Sequence, residues 1–278
     1  MSHLKMRDNT QIYYIEEGTG RPIIMLHGWK ASSDVYQKVS EELSSGFRCI
    51  RYDQRGHKRS GIPDQPPRMG DLADDLDEII RVFCPVEKPL LIGWSMGGAT
   101  VLEYIERYGC EKIDGVILVD ISPCILNNEN WNLGRAGGTY TEEHLTADMS
   151  VMSVDFREFM RKYYSETNAQ FREMTSAERE GLLDQRLAGF DTGVLTSLWE
   201  SLCRADYRPT LPRISVPAAI FHASILPACR PETAAYYAQT IPGGAHCVQF
   251  KDASHALIAE YPKLFSKEVR DFIALGKD

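Results

Sequence analysis

Apolar positions along the first part of the chain follow two alternating rhythms. Nearly continuous apolar runs at 22–26, 47–53, 89–93 and 115–121 have the pattern of strands buried on both faces, and the alternating run at 11–18 that of a half-buried strand. Between them lie segments with helical periodicity. Residues 34–46 end at Gly46, and residues 97–109 end at Gly109. Residues 69–83 place Leu72, Leu76, Ile79 and Ile80 on one stripe. Strands joined by crossover helices predict an α/β protein with a mainly parallel sheet and helices on both faces. In such sheets ligands sit beyond the carboxyl ends of the strands, so residues just after each strand carry the chemical interest.

The rhythm changes after Pro123. From Cys124 to Arg213 no strand pattern is visible, and the segment reads as helical and rich in Met, Phe and Tyr, among them Met149, Met152, Phe156, Phe159, Met160, Tyr163 and Tyr164. The α/β pattern then resumes, with strands at 216–223 and 246–253, a helix at 231–241 and a closing helix at 261–273. The expected organisation is a core from 1–122 and 214–278 interrupted by a helical insertion at 123–213.

Composition excludes several classes. The 278-residue chain is 43% hydrophobic and 25% charged, enough apolar content for a full core. A net charge of −8 leaves no basic excess with which to neutralise a nucleic acid. Seven dispersed cysteines without a CxxC pair indicate neither a zinc site nor a disulfide framework. The sequence has no apolar leader-like run at its start and no stretch of the ~18 apolar residues a membrane span needs. The expectation is a cytoplasmic protein with no nucleic-acid or membrane partner.

The chemistry centres on Gly93-Trp94-Ser95-Met96-Gly97, a G-x-S-x-G pentapeptide between a strand and a helix. A serine on such an elbow takes a strained backbone and projects its hydroxyl over the sheet edge. The start of the next helix beside it favours developing negative charge. Ser95 is the expected nucleophile. His255, in the loop between the last strand and the last helix, is the expected base. His27 and His57 lie near the same edge but within other patterns, His222 falls within a strand, and His3, His144 and His246 lack a suitable loop. Gly28, after the 22–26 strand, lets the chain turn close to the substrate, which makes the backbone N–H groups of Trp29 and Met96 the expected oxyanion donors.

Together His27-Gly28-Trp29, "YDQRGHKRSG" from Tyr52, "GWSMGG" from Gly93 and "DASHALIAEYP" from Asp252 resemble α/β-hydrolase-fold enzymes of the small esterase and haloperoxidase-like group. The likeness covers about residues 10–275 outside the insertion. It implies an eight-stranded sheet and a helical cap between the sixth and seventh strands, where the insertion falls. Such enzymes commonly carry the triad acid after the seventh strand, but residues 222–227 hold no carboxylate and Glu232 lies at a helix start. Asp120, at the end of the sixth strand, is the preferred acid, since some relatives of this fold use that point and neighbouring strand ends share the catalytic edge. Asp252 is the competitor, and a dyad without an acid is a third possibility. The loop from Tyr52 to Gly61 is expected to order the site floor through Asp53 and Arg55, with Lys58 where the pattern often has Gly.

These parts predict a serine hydrolase that cleaves a carboxylic ester or lactone through an acyl-enzyme and needs no cofactor and no metal. The Met- and aromatic-rich insertion suggests a small to medium hydrophobic substrate, with Trp94, Trp131, Met152 and Phe156 as pocket candidates. Other reactions on this fold remain as alternatives: perhydrolysis or haloperoxidation, C–C hydrolysis and cofactor-free dioxygenation. So does a non-catalytic ligand receptor. Oligomerisation is left open.

Overall fold

The computed structural model describes residues 2–225 and 227–275. Among them, β1 (Ser2–Lys5), β2 (Gln11–Glu17), β3 (Pro22–Leu26), β4 (Arg48–Tyr52), β5 (Leu90–Trp94), β6 (Gly115–Val119), β7 (Ala218–Ala223) and β8 (His246–Phe250) form one sheet in the order β1-β2-β4-β3-β5-β6-β7-β8. The pairs β1/β2 and β2/β4 are antiparallel, and every other pair is parallel.

The period of two along each strand sorts the core into two layers. On one face, Ile24, Leu26, Leu91, Val116, Leu118 and Ile220 pack with α2 (Met69–Phe83) and α3 (Met96–Tyr108). On the other, Ile23, Met25, Ile92, Ile117, Val119 and Phe221 pack with α1 (Gln37–Leu43) and α12 (Pro262–Leu275). All residues of β3, β6 and β7 are buried, which accounts for their unbroken apolar runs. The helix expected at 34–46 is shorter, because Ser33–Tyr36 form a tighter 3₁₀ turn before α1. β1 had no counterpart among the expected strands. It is a four-residue edge strand with mostly exposed side chains.

The insertion between β6 and β7 carries a short turn, α4 (Arg135–Gly138), then α5 (Glu142–Val154), α6 (Phe156–Thr167), α7 (Ala169–Glu173), α8 (Ser176–Leu187) and α9 (Thr192–Arg204). It joins the same apolar cluster as α2 and α3, with Met152, Phe156, Phe159, Leu195 and Trp199 buried. The core then resumes with β7, α10 (Pro231–Thr240), β8, α11 (Leu257–Glu260) and α12. No described helix is long and apolar enough to cross a membrane.

Candidate active site

Ser95 follows β5 with φ 52° and ψ −120° and opens directly into α3. A non-glycine residue held there costs about 1–3 kcal/mol, which the surrounding packing must offset. The packing is close: a Cβ on Gly97 would lie 2.2 Å from the Leu26 carbonyl oxygen, so α3 can meet the end of β3 only with glycine there. A Cβ on Gly28 would come within 3.1 Å of Ser95 Cβ, which brings the turn carrying Trp29 against the serine. Neither the Trp29 nor the Met96 backbone N–H has a protein acceptor among the described residues. Both amides flank the serine and are free to donate.

His255 Nδ1 lies 2.6 Å from Asp120 Oδ2. The Asp120 carboxylate is fully buried and also accepts from the backbone N–H groups of Ala223 (3.3 Å), Ala228 (3.0 Å) and Cys229 (3.1 Å). Three backbone N–H groups point at the carboxylate and no acceptor among the described residues does, so the imidazole nitrogen facing it is placed to donate. Nδ1 therefore carries the imidazole proton, and Nε2 keeps its lone pair. Asp120 itself has φ 47°, a second strained non-glycine residue at a strand end. The strand register explains how it serves. Val119 of β6 pairs with Phe221 of β7, so carboxylates leaving either strand end start side by side.

Trp94 supports the histidine from behind. Its Nε1 donates to the His255 carbonyl oxygen at 2.9 Å, and the two rings lie 5.2 Å apart. Asp252 does not compete for the imidazole. Its backbone N–H binds Ser224 Oγ at 2.8 Å, and the Nδ1 position it would need is taken by Asp120.

The remaining buried histidines at this edge are occupied. His27 Nε2 accepts from the Gln54 N–H at 2.9 Å, and His57 Nε2 accepts from the Lys30 N–H at 3.2 Å. Their Nδ1 atoms face the carbonyls of Gly28 and Arg55. Burial pushes His57 down to about 3 and lowers His27 as well. Both rings are neutral struts with no free lone pair. In the loop after β4, Asp53 and Arg55 take different partners. Asp53 takes Arg59 and the Ser33 N–H, while Arg55 forms a two-pronged pair with Asp75 at 2.6 and 2.5 Å. The fork of a guanidinium matches a carboxylate on α2 better than one next to it in its own tight turn.

Ser95 and His255 line one cavity of about 480 Å³, whose apolar wall includes Ile121, Ile125, Tyr163 and Trp199. The Ser95 hydroxyl makes no hydrogen bond to a described residue. Catalytic hydrogen bonds in ligand-free sites are often long and tighten with substrate.

The expected pocket residues lie elsewhere. Trp131 is buried, donates to the Cys124 carbonyl at 2.9 Å and packs on Tyr236. Phe156 packs against Trp29, Met152 faces a separate surface depression beside α9, and Trp94 braces His255. Aromatic and Met content signalled the cap's own packing onto the core, an apolar demand that composition does not separate from ligand binding. Trp29 is the clearest case: its ring lies 4.9 Å from Trp199, and its Nε1 donates to the Leu195 carbonyl at 2.9 Å, docking the insertion on the turn after β3.

A mainly parallel sheet with a strained serine after its fifth strand, and a histidine–aspartate pair on the same rim, defines a hydrolase-type α/β architecture. The chain belongs to the alpha/beta hydrolase fold family, whose model matches residues 21–262. A pimeloyl-[acyl-carrier protein] methyl ester esterase of Chromobacterium violaceum is 25% identical over 256 residues, 92% of this chain and 95% of that protein. A non-heme chloroperoxidase of Kitasatospora aureofaciens is 21% identical over 273 residues, 96% and 97% of the two chains. Among solved structures, an esterase from Exiguobacterium antarcticum superposes with a TM-score of 0.83 at 22% identity, covering 98% of this chain and 99% of that one.

Proposed function

We propose that this protein is a serine hydrolase that cleaves a carboxylic ester or lactone of a small to medium, largely apolar molecule through an acyl-enzyme. The observation that carries the reading is the 2.6 Å contact between His255 Nδ1 and Asp120, on the cavity that Ser95 also lines. Ser95 Oγ attacks the acyl carbonyl while His255 Nε2 takes the hydroxyl proton, and Asp120 stabilises the imidazolium so formed. The carbonyl oxygen becomes an oxyanion that accepts from the Trp29 and Met96 N–H groups, each such donor contributing about 10²–10³ in rate. Collapse expels the alkoxide, which takes the proton from His255. Water then gives a proton to Nε2 as it attacks the acyl carbon, and the second collapse returns that proton to Ser95 and frees the acid.

The likeness to a chloroperoxidase supports a second reading on the same residues, in which hydrogen peroxide replaces water in deacylation and a peracid leaves. Fluorophosphonate labelling and p-nitrophenyl acetate turnover, with and without added peroxide and carboxylic acid, test both. Each activity should vanish in Ser95→Ala. Turnover that survives Ser95→Ala removes the nucleophile assignment, and ligand binding without labelling or turnover replaces the enzyme by a receptor.

A further inference from the structure

The cavity above Ser95 is not uniformly apolar. Three arginines, Arg135, Arg172 and Arg230, reach its wall against one lining acid, Glu166, while Asp120 sits behind His255 and Glu232 lies 3.9 Å from Arg230 Nε. What matters is therefore which of the three guanidinium groups is already spent and which still has donors to offer.

The three arginines do different jobs. Arg172 gives Nε to the Ser165 carbonyl and Nη2 to the Glu166 carbonyl. Arg230 gives Nη2 to the Asn132 carbonyl at 3.1 Å and Nη1 to the Gly137 carbonyl at 3.4 Å. These two brace the cap lining, and Arg230 braces the very turn that carries Arg135.

Arg135 is the exception. Its side chain is only 15% exposed, and its guanidinium carbon lies 4.8 Å from the Tyr140 ring, 5.3 Å from Trp199 and 5.5 Å from Tyr163. It has five N–H groups and spends Nη2 on Glu166 at 3.0 Å, with no further side-chain donation to a described residue. Glu166 is 41% exposed and so shares its charge with solvent. A buried cation so thinly compensated is costly, while the unspent donors of a planar fork match a second carboxylate. The aromatic faces around it hold the fork in place and shed water from it.

We propose that Arg135 is a specificity-determining residue for an anionic group on the substrate: the preferred ester or lactone carries a free carboxylate in addition to the bond that is cleaved. The inference rests on the serine-hydrolase reading, and its test includes a measurement that does not. Kinetics are compared on neutral p-nitrophenyl alkanoates and on mono-p-nitrophenyl half-esters of dicarboxylic acids of matched and increasing length. At one length the half-ester should be preferred by at least about tenfold in kcat/KM. Arg135→Gln should cost that half-ester about 10–100-fold, mainly through KM, the range of a lost charge-assisted hydrogen bond. The neutral ester should change by less than about threefold, which also shows that the variant folds. Arg135→Lys should recover part of the loss, and Glu166→Gln should lower the half-ester KM.

Independently of turnover, calorimetry on Ser95→Ala with the matching free dicarboxylate should show binding that Arg135→Gln abolishes. No half-ester preference, equal losses on both substrate classes in Arg135→Gln, or dicarboxylate binding indifferent to Arg135 would each overturn the proposal. Absence of all ester turnover and of fluorophosphonate labelling, with Arg135-dependent dicarboxylate binding intact, would instead remove the hydrolase reading and leave the anion site standing.

Discussion

Asp120→Asn tests the reasoning at its narrowest point. The wild-type carboxylate faces donors only: Ala223 and Cys229 N–H at Oδ1, and Ala228 N–H and His255 Nδ1–H at Oδ2. An amide has one oxygen to offer, so it must turn a donor toward one pair. With Nδ2 toward Ala223 and Cys229, two buried donors lose their acceptor. With Nδ2 toward His255, only the Ala228 N–H is orphaned, provided the imidazole moves its proton to Nε2. The difference is one unsatisfied buried donor, about 1–3 kcal/mol, which favours the second arrangement by about 5–150-fold. That arrangement leaves no lone pair on the face toward Ser95. The competent minority has also lost the anion that stabilises the imidazolium. The two effects together should lower the acylation rate by about 10³–10⁴, the scale the same replacement reaches in the serine-protease triad. The assay is the single-turnover burst with p-nitrophenyl acetate, with thermal melting as the check on folding and Asp252→Asn as the control, expected within about twofold of wild type. An Asp120→Asn burst within tenfold of wild type, in a folded protein, would refute both the acid assignment and the tautomer argument.

Other expectations follow from single contacts. Trp94→Phe keeps the ring behind His255 but removes its bond to the carbonyl; at about 0.5–1.5 kcal/mol for such a bond, kcat should fall about two- to tenfold with KM little changed in steady-state assays. Gly97→Ala sets a methyl against the Leu26 carbonyl, so stability should drop by at least the ~1–3 kcal/mol of overpacking, with activity lost as the elbow shifts, measured by denaturant melts and ester turnover. Burial, with Arg186 and Lys58 nearby, pushes Lys30 down to about 7 from 10.5. The unfolded chain therefore holds a proton that the folded one has shed between those values, and this group's contribution to stability rises as pH climbs through that window. Lys30→Met should raise Tm at pH 7 and flatten that rise; parallel Tm curves for wild type and variant would count against it.

Legibility in the sequence divides along physical lines. The central strands and α2 were readable because buried strands and an amphipathic helix impose strict periods, and residues 69–83 form a helix with those limits. The contact of Asp120 with His255, and their nearness to the cavity that Ser95 lines, were readable because each residue follows a strand on the same edge. β1 was missed because its side chains face solvent and leave no apolar trace. The cavity wall was missed for a different reason. It is assembled from one side chain here and another there across the cap and the loop after β7, with no shared period. Arg135 sits in "NLGRAGG", a turn with left-handed Ala136 and Gly137, where no pattern announces a buried cation.

Trp29 ties the turn after β3 to Leu195 of α9 through its indole, while its backbone N–H has no acceptor among the described residues. On the proposed reading, one residue both donates to the reacting oxygen and ties the insertion to the core. Swapping the insertion for another is constrained at this point: a replacement that leaves the Trp29 indole without an acceptor near α9 loosens the turn packed against Ser95. The cavity wall is then recut most safely around Ile121 and Ile125, with the Trp29–Leu195 bond and the Trp29–Trp199 contact retained.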